Sequence, residues 1–447
     1  MVIIMKIIEY CSNTEEHSSA HFCDKCEKTV STGSRVSDSE SSDKNSESKR
    51  VTVKSKEELL SLIKETMAEK GDECDLNFID VSNVKDMSRL FCRSKFNGDI
   101  SKWEVSNVKD MSYMFNSSEF NGDISRWDVS SVKKMNWMFS NSSFNGDISK
   151  WNVSKVKVMD FMFDRSCFNG DISKWDVSNV KDMSFMFFHS KFNKDISSWN
   201  VNKVKNMSYM FTDSKFNGDI CKWDVSRVKD MSFMFCYSQF NRDISSWNVS
   251  NVKKMRGMFS YSKFNRDISN WDVSKVSSMR EMFEFSDFNG DISKWNVSRV
   301  KKMSFMFYGS RFNRDISEWD VSSVSSMRYM FSNSAFNGDI RKWEVFNVKN
   351  MSGMFYNSVF TGDISKWNLF RVNDMSYMFR KSKFNGDISN WKVGRCSNMI
   401  GMFSDSLFNG DISKWNVNAV YITDMFENSK NMQDINKPNF KASLEMH

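Results

Sequence analysis

Five cysteine and histidine side chains crowd the first 26 residues: Cys11, His17, His21, Cys23 and Cys26. Cys23 and Cys26 form a CxxC pair, a spacing that lets two thiolates bite one tetrahedral zinc ion, with Cys11, His17 or His21 available as further ligands. A metal bound there would order a segment too short to build a core of its own. One CxxC alone matches no standard finger, so two other readings stand beside zinc: a redox-active thiol pair and incidental thiols in an unstructured tail. Elsewhere the means for chemistry are sparse. The 447-residue chain has four histidines, at 17, 21, 189 and 447. Catalysis by proton transfer or by an activated nucleophile needs a base within reach of its partner. A lone His189 in the body of the chain offers no such pair, and no enzymatic activity is expected.

What the chain has in abundance is aromatic and methionine side chains, with 40 Phe, 33 Met and 15 Trp against a single Pro. A composition this biased points to one small unit copied many times rather than to several ordinary domains. The tryptophans give the period. Trp103, Trp127, Trp151, Trp175, Trp199, Trp223, Trp247, Trp271, Trp295, Trp319, Trp343, Trp367, Trp391 and Trp415 recur every 24 residues without a slip. With tryptophan as the first place, apolar residues hold places 1, 3, 6, 9, 12, 13, 18 and 22 as W, V, V, M, M, F, F and I. A first copy starts at Ile79 and the last, one residue short, runs out at Pro438, giving fifteen units over 79–438.

Spacing suggests a shape for one unit. Trp103 and Val105 fall on one face of an extended segment, which predicts a short strand pairing in parallel with its copy in the next unit. Val108, Met111, Met114 and Phe115 recur at roughly three-residue steps, which predicts a helical or 3-10 turn. The S-x-F-N-G-D stretch that follows has turn chemistry. One 24-residue coil cannot bury eight apolar side chains by itself, whereas stacked coils can. The fold class expected is therefore a repeat solenoid with a helical cap at its N-terminal end.

These residues carry a resemblance. The pattern I-x-x-W-x-V-x-x-V-x-x-M-x-x-M-F-x-x-S is similar to the leucine-rich repeat of BspA-type surface proteins. VSNVKDMSYMF with FNGDISKW resembles, more closely, the Mycoplasma-type BspA-like repeat found in mycoplasmas, other bacteria and large DNA viruses. The resemblance implies a leucine-rich-repeat-like solenoid with a binding or adhesion role, for instance in host interaction, and no catalysis. It covers all fifteen units.

The flanking segments divide the chain. Residues 1–30 hold the Cys/His cluster, and 31–54, rich in serine and charge, read as a flexible linker. Residues 55–78 form a capping helix and the entry to the repeats. Ser55 and Glu58 make a capping box ahead of the apolar stripe Leu59, Leu60, Leu62, Ile63 and Met67. Residues 439–447 are a polar tail. The opening MVIIMKII is too short and too interrupted for a signal-peptide core, and no stretch reaches the length of a membrane helix. Membrane insertion is not expected. An intracellular or virion-associated location is favoured, with the cell surface suggested only by the family resemblance.

Three columns of side chains would face a partner. The seventh place carries Lys109, Lys133, Lys157, Lys181, Lys205, Lys229, Lys253, Lys301 and Lys349, expected to be offset by acids at the eighth place such as Asp110, Asp182 and Asp230. The twenty-first place is Asp in every unit, suited to capping turns or, less directly, to a calcium ladder. The eleventh place holds six aromatics in succession, Tyr113, Trp137, Phe161, Phe185, Tyr209 and Phe233, which either stack between coils or form an apolar binding stripe. The reading that follows is a non-enzymatic protein-interaction or structural module, with self-association through its sides left open. With 63 basic against 56 acidic residues, nucleic acid is the alternative partner rather than the expected one, and would use the Lys row and an N-terminal zinc knuckle.

Overall fold

The computed structural model describes residues 50–418 and 421–438. The chain divides into two units, Met1–Lys44 and Asn45–His447, and everything described belongs to the second. The expected zinc ligands Cys11, His17, His21, Cys23 and Cys26 lie outside the described residues, as does the tail 439–447.

The repeats are entered through two short strands and one helix. Strand β1 (Val51–Thr52) pairs in parallel with β2 (Ile79–Asp80), so residues expected in the linker 31–54 are instead paired into the fold, with Val53 buried. Helix α1 (Lys56–Lys70) follows. The Ser55 hydroxyl accepts the Glu58 N–H at 3.2 Å, and the Glu58 carboxylate reaches back to the Lys54 N–H at 2.6 Å. Two of the helix's orphan donors or their neighbours are thereby satisfied. Gly71 closes α1 at φ 82°, its N–H bonded to the Met67 carbonyl, a left-handed position that costs glycine nothing. Leu59 and Ile63 are fully buried in the same core as the repeats. Lys56 fixes the helix to the first coil through Asp86 (3.3 Å) and Ser88 (2.6 Å).

Within each coil the backbone departs from the expected strand and helix. The parallel contacts form a column of single bridges at the eighth place, from Asp86–Asp110 through to Asn398–Tyr421, not at the Trp-x-Val segment. That segment is held between two turns instead, closed by Trp103 N–H to Ile100 O and Val108 N–H to Val105 O. The three-residue apolar steps from place 9 to place 16 do not make a helix either. Alternate N–H groups point in different directions. Those of Met111, Tyr113, Phe115 and Ser117 donate to carbonyls of the next coil, Lys134, Asn136, Met138 and Ser140. Those of Met114, Asn116 and Ser118 close local turns onto Met111, Tyr113 and Phe115. Overlapping turns give three-residue spacing as a 3-10 helix does, but half of their donors remain free to join coil to coil. With the Ser112 N–H donating to the Asp110 carboxylate at 3.0 Å, every backbone donor from Met111 to Ser118 is used.

The core consists of side-chain columns. Trp103 stacks on Trp127 with ring centroids 6.4 Å apart, Phe115 on Phe139 at 5.6 Å and Phe120 on Phe144 at 6.3 Å, while Phe115 and Phe120 meet within one coil at 4.4 Å. Each buried indole also needs an acceptor, and Trp127 Nε1–H donates at 3.1 Å to the carbonyl of Ile100, 27 residues earlier and just ahead of Trp103. The Ile100 carbonyl thus accepts both the backbone N–H of Trp103 and the indole N–H of Trp127, while its side chain fills the core.

Short polar side chains hold the turns between these columns. Asp123 accepts the Ser125 N–H at 2.9 Å, and that bond holds its carboxyl below the usual carboxylate range. Ser118 accepts the Phe120 N–H and Asp128 the Ser130 N–H in the same two-residue geometry. The asparagines at place 19 add a ladder between coils: Asn97 Oδ1 accepts the Asn121 N–H at 2.8 Å, Asn121 that of Asn145, and so on to Asn313 and Asn337. The ladder is interrupted at Thr361. Its N–H is received by Asn337, but its hydroxyl turns back to Asn337 at 3.4 Å and makes no bond to Asn385. Thr361→Asn should restore the missing rung and raise stability by about 0.5–1.5 kcal/mol, read as a higher denaturant midpoint. An unchanged or lower midpoint would show that water already serves Asn385.

Candidate interaction surface

The eleventh place of every coil is left-handed, with φ near 60° whether the residue is Tyr113 (59°), Trp137 (59°), Phe161 (57°) or Gly257 (56°). Large side chains rarely adopt this conformation, which costs an L-residue roughly 1–2 kcal/mol. Here two coil-to-coil bonds flank the position and hold it. The consequence is directional: the side chain leaves the core columns and stands along the surface of the stack. The fifteenth place repeats the device, as at Ser117 (55°), His189 (50°) and Asn333 (53°).

The six predicted aromatics are brought together into one ridge. Tyr113–Trp137, Trp137–Phe161, Phe161–Phe185, Phe185–Tyr209 and Tyr209–Phe233 are stacked at 5.5, 3.8, 4.2, 4.4 and 4.8 Å between centroids. All six are half-buried. Their faces are used against one another, so the ridge presents ring edges rather than flat platforms. Both ends carry a guanidinium, Arg89 over Tyr113 at 4.3 Å and Arg256 over Phe233 at 5.1 Å, an attractive contact with the ring face. Gly257 ends the run for a steric reason. A Cβ there would sit 2.2 Å from Cε1 of Phe233, whose ring leans into the space a side chain would take. Tyr329 does the same over Gly353, and Tyr377 over Gly401.

Sequence reading missed a second group. At the fifteenth place Tyr237, Tyr261 and Phe285 stack at 4.4 and 4.8 Å, and Tyr308 meets Phe285 edge-on at 4.9 Å. Their recurrence at a common place was the signal available. The second group adjoins acidic side chains. Arg256 grips Glu281 with two bonds of 3.0 Å, and Arg280 adds a third at 3.3 Å. Glu284, half-buried beside Glu281, is pushed up to about 8 by desolvation and then by its neighbour's charge, with the Ser260 hydroxyl donating to it at 3.3 Å. Burial likewise raises Asp160 and Asp164 to about 6.

The other two columns resolve differently. The seventh-place lysines are exposed and their backbones are bonded coil to coil, as Lys109 N–H to Lys85 O at 2.8 Å. The eighth-place acids do not offset them: Asp110 pairs with Lys134 and Asp230 with Lys254, which are themselves eighth-place residues of the next coil. The aspartates at place 21 are engaged in turns as described. Among the described residues no group of three or more His, Cys, Asp or Glu side chains is placed to hold a metal ion, and none of the described helices is long and apolar enough to cross a membrane. His189 is bound to Asp213 at 2.6 Å.

Six overlapping segments of the chain, 62–167, 142–237, 213–311, 261–361, 283–382 and 357–447, match the family model described as Mycoplasma protein of unknown function, DUF285. No curated protein and no solved structure gives a significant match.

Proposed function

The chain belongs to the Mycoplasma family of unknown function, DUF285, and from that premise we propose that it is a non-enzymatic protein-interaction module, an adhesion or structural element built as a leucine-rich-repeat-like solenoid of the BspA-like type. The observation that carries this reading is the ridge from Tyr113 to Phe233. Aromatic edges backed by stacking and ended by arginines form a rigid apolar surface of the kind that anchors partners. The rest of the coil varies little, so the stack's role is to hold such a ridge in register. A location at a host interface rests on the family resemblance alone.

The test replaces Phe161 and Phe185 by asparagine, a residue that accepts left-handed φ and so spares the backbone while removing two rings. Captures from host-cell lysate would compare the full chain, a truncation starting at Val51 and this double variant, at low and high salt. A discrete protein retained at high salt by the first two and lost with the third is the expected result. One observation favours nucleic acid as a second reading: none of the seventh-place lysines pairs with a described carboxylate. Recovery of nucleic acid alone, at low salt only, would replace the first reading with the second.

A further inference from the structure

The monotony of the repeats breaks at one corner. The fourth place is Ser in most coils and otherwise Asn or Gly, except in two adjacent ones, where it is Phe346 and Phe370. Both rings are exposed, at 39% and 50%, whereas most of the described phenylalanines are buried in columns. Beside them lies a shallow concavity lined by Lys349, Arg371, Asn373 and Arg395. Arg395 lies over the Phe370 ring at 4.1 Å, which leaves the donor edge of its guanidinium open. Arg371 is steadied by one bond to Asn347 at 2.8 Å. None of the three cations pairs with a described carboxylate.

We propose that this corner is a docking site for an anionic peptide segment of a protein partner, with carboxylate or phosphoryl groups held by Lys349, Arg371 and Arg395 and an apolar side chain resting against Phe346 and Phe370. The chemistry follows from the donors. Planar guanidinium forks suit the paired oxygens of carboxylates and phosphates, and the unpartnered positive charge calls for a negative ligand. A polynucleotide fits less well for two reasons. The cation row does not continue here, since the neighbouring seventh-place residues are Ser325, Asn373 and Ser397, so the charge is compact rather than a track. One face of Phe370 is also covered by Arg395, which removes a stacking platform. The site stands apart from the ridge at Tyr113–Phe233 and does not depend on it.

The repeats themselves supply variants that keep the fold, because each replacement already occupies the same place in other coils. One variant carries Phe346→Ser and Phe370→Ser, and another Arg371→Asn and Arg395→Asn. Three labelled probes would be titrated onto the full chain by fluorescence anisotropy: an octapeptide alternating Glu and Leu, its counterpart alternating phosphoserine and Leu, and an eight-residue oligothymidylate. Binding of either peptide, weakened at least tenfold by the arginine variant and several-fold by the phenylalanine variant, is the expected result. Whichever peptide binds more tightly identifies the anion. Peptide binding that neither variant weakens, binding of no probe, or oligothymidylate bound at least as tightly as both peptides would each overturn the proposal.

Discussion

Phe211→Ala is expected to destabilise the stack by about 3–5 kcal/mol, the range for removing a fully enclosed ring. Phe211 has no exposed surface. It touches Phe187 and Phe235 in the coils on either side at 5.7 and 5.8 Å, Phe216 in its own coil at 4.3 Å and Trp223 at 6.3 Å. A cavity there cannot close by local collapse, because each neighbouring ring is fixed by the coil beyond it. Stability in a stack is a sum of coil terms and nearest-neighbour terms, and a ring in a central column contributes to two of the latter. The loss should therefore appear first as reduced amide-exchange protection in the coils around residue 211, ahead of the flanking ones. Phe426 provides the control. It occupies the same column in the last coil, is only partly buried and meets one column neighbour, Phe403 at 5.7 Å. Phe426→Ala should cost less than half as much. Equal losses for the two substitutions would refute nearest-neighbour coupling as the source of strength.

Glu284→Gln is expected to stabilise the protein at pH 8 and above and to change it little at pH 4. Desolvation raises this carboxyl from an ordinary 4.5 to about 8, with the adjacent Glu281 adding to it and Ser260, Arg256 and Arg280 opposing it. The folded state thus keeps a proton that the unfolded chain has released. Between those two values the folded form binds more protons, so stability falls as pH rises through the window and levels off above about 8. The glutamine keeps an acceptor for the Ser260 hydroxyl without a charge to bury, and removes this slope. The gain at high pH should be a few kcal/mol, on the scale of about 1.4 kcal/mol per pKa unit. Asp160 and Asp164, raised to about 6, act with the same sign but only in the lower part of the window, so the variant retains a shallower slope below pH 6. Turn carboxylates such as Asp123, held below 3.8, act with the opposite sign and only in acid. Denaturant midpoints of both proteins from pH 4 to 9 decide the matter. Parallel profiles would show that Glu284 is ionised in the folded state.

The sequence by itself determined the period, the number of coils and which side chains are inside. All eight apolar places, from Trp103 and Val105 through Phe120 and Ile124, are buried in coil after coil. Burial acts on side-chain type, and a fixed spacing of types survives in the one-dimensional string. Helix α1 was equally legible, because its capping pair and stop glycine are local signals. The backbone path was not. Three-residue spacing fits a 3-10 helix and a run of overlapping turns alike, and what separates them is where the N–H groups of Met111, Tyr113 and Phe115 find acceptors, which lie 23 residues away in the next coil. Hints were present: glycine at 257, 353 and 401 in the eleventh place, and Asn141, Asp213, Gly309, Asn333 and Asn357 in the fifteenth, are residues that tolerate left-handed φ. Tyr113, Trp137 and Phe161 at the same places concealed them. Only the stack, by holding those positions left-handed, decided that the rings leave the core and form a ridge. Likewise only contact between coils decided that Asp110 answers Lys134 and leaves the seventh-place lysines without a described carboxylate partner, because the partner of a surface charge is set by distance in space and not by order along the chain.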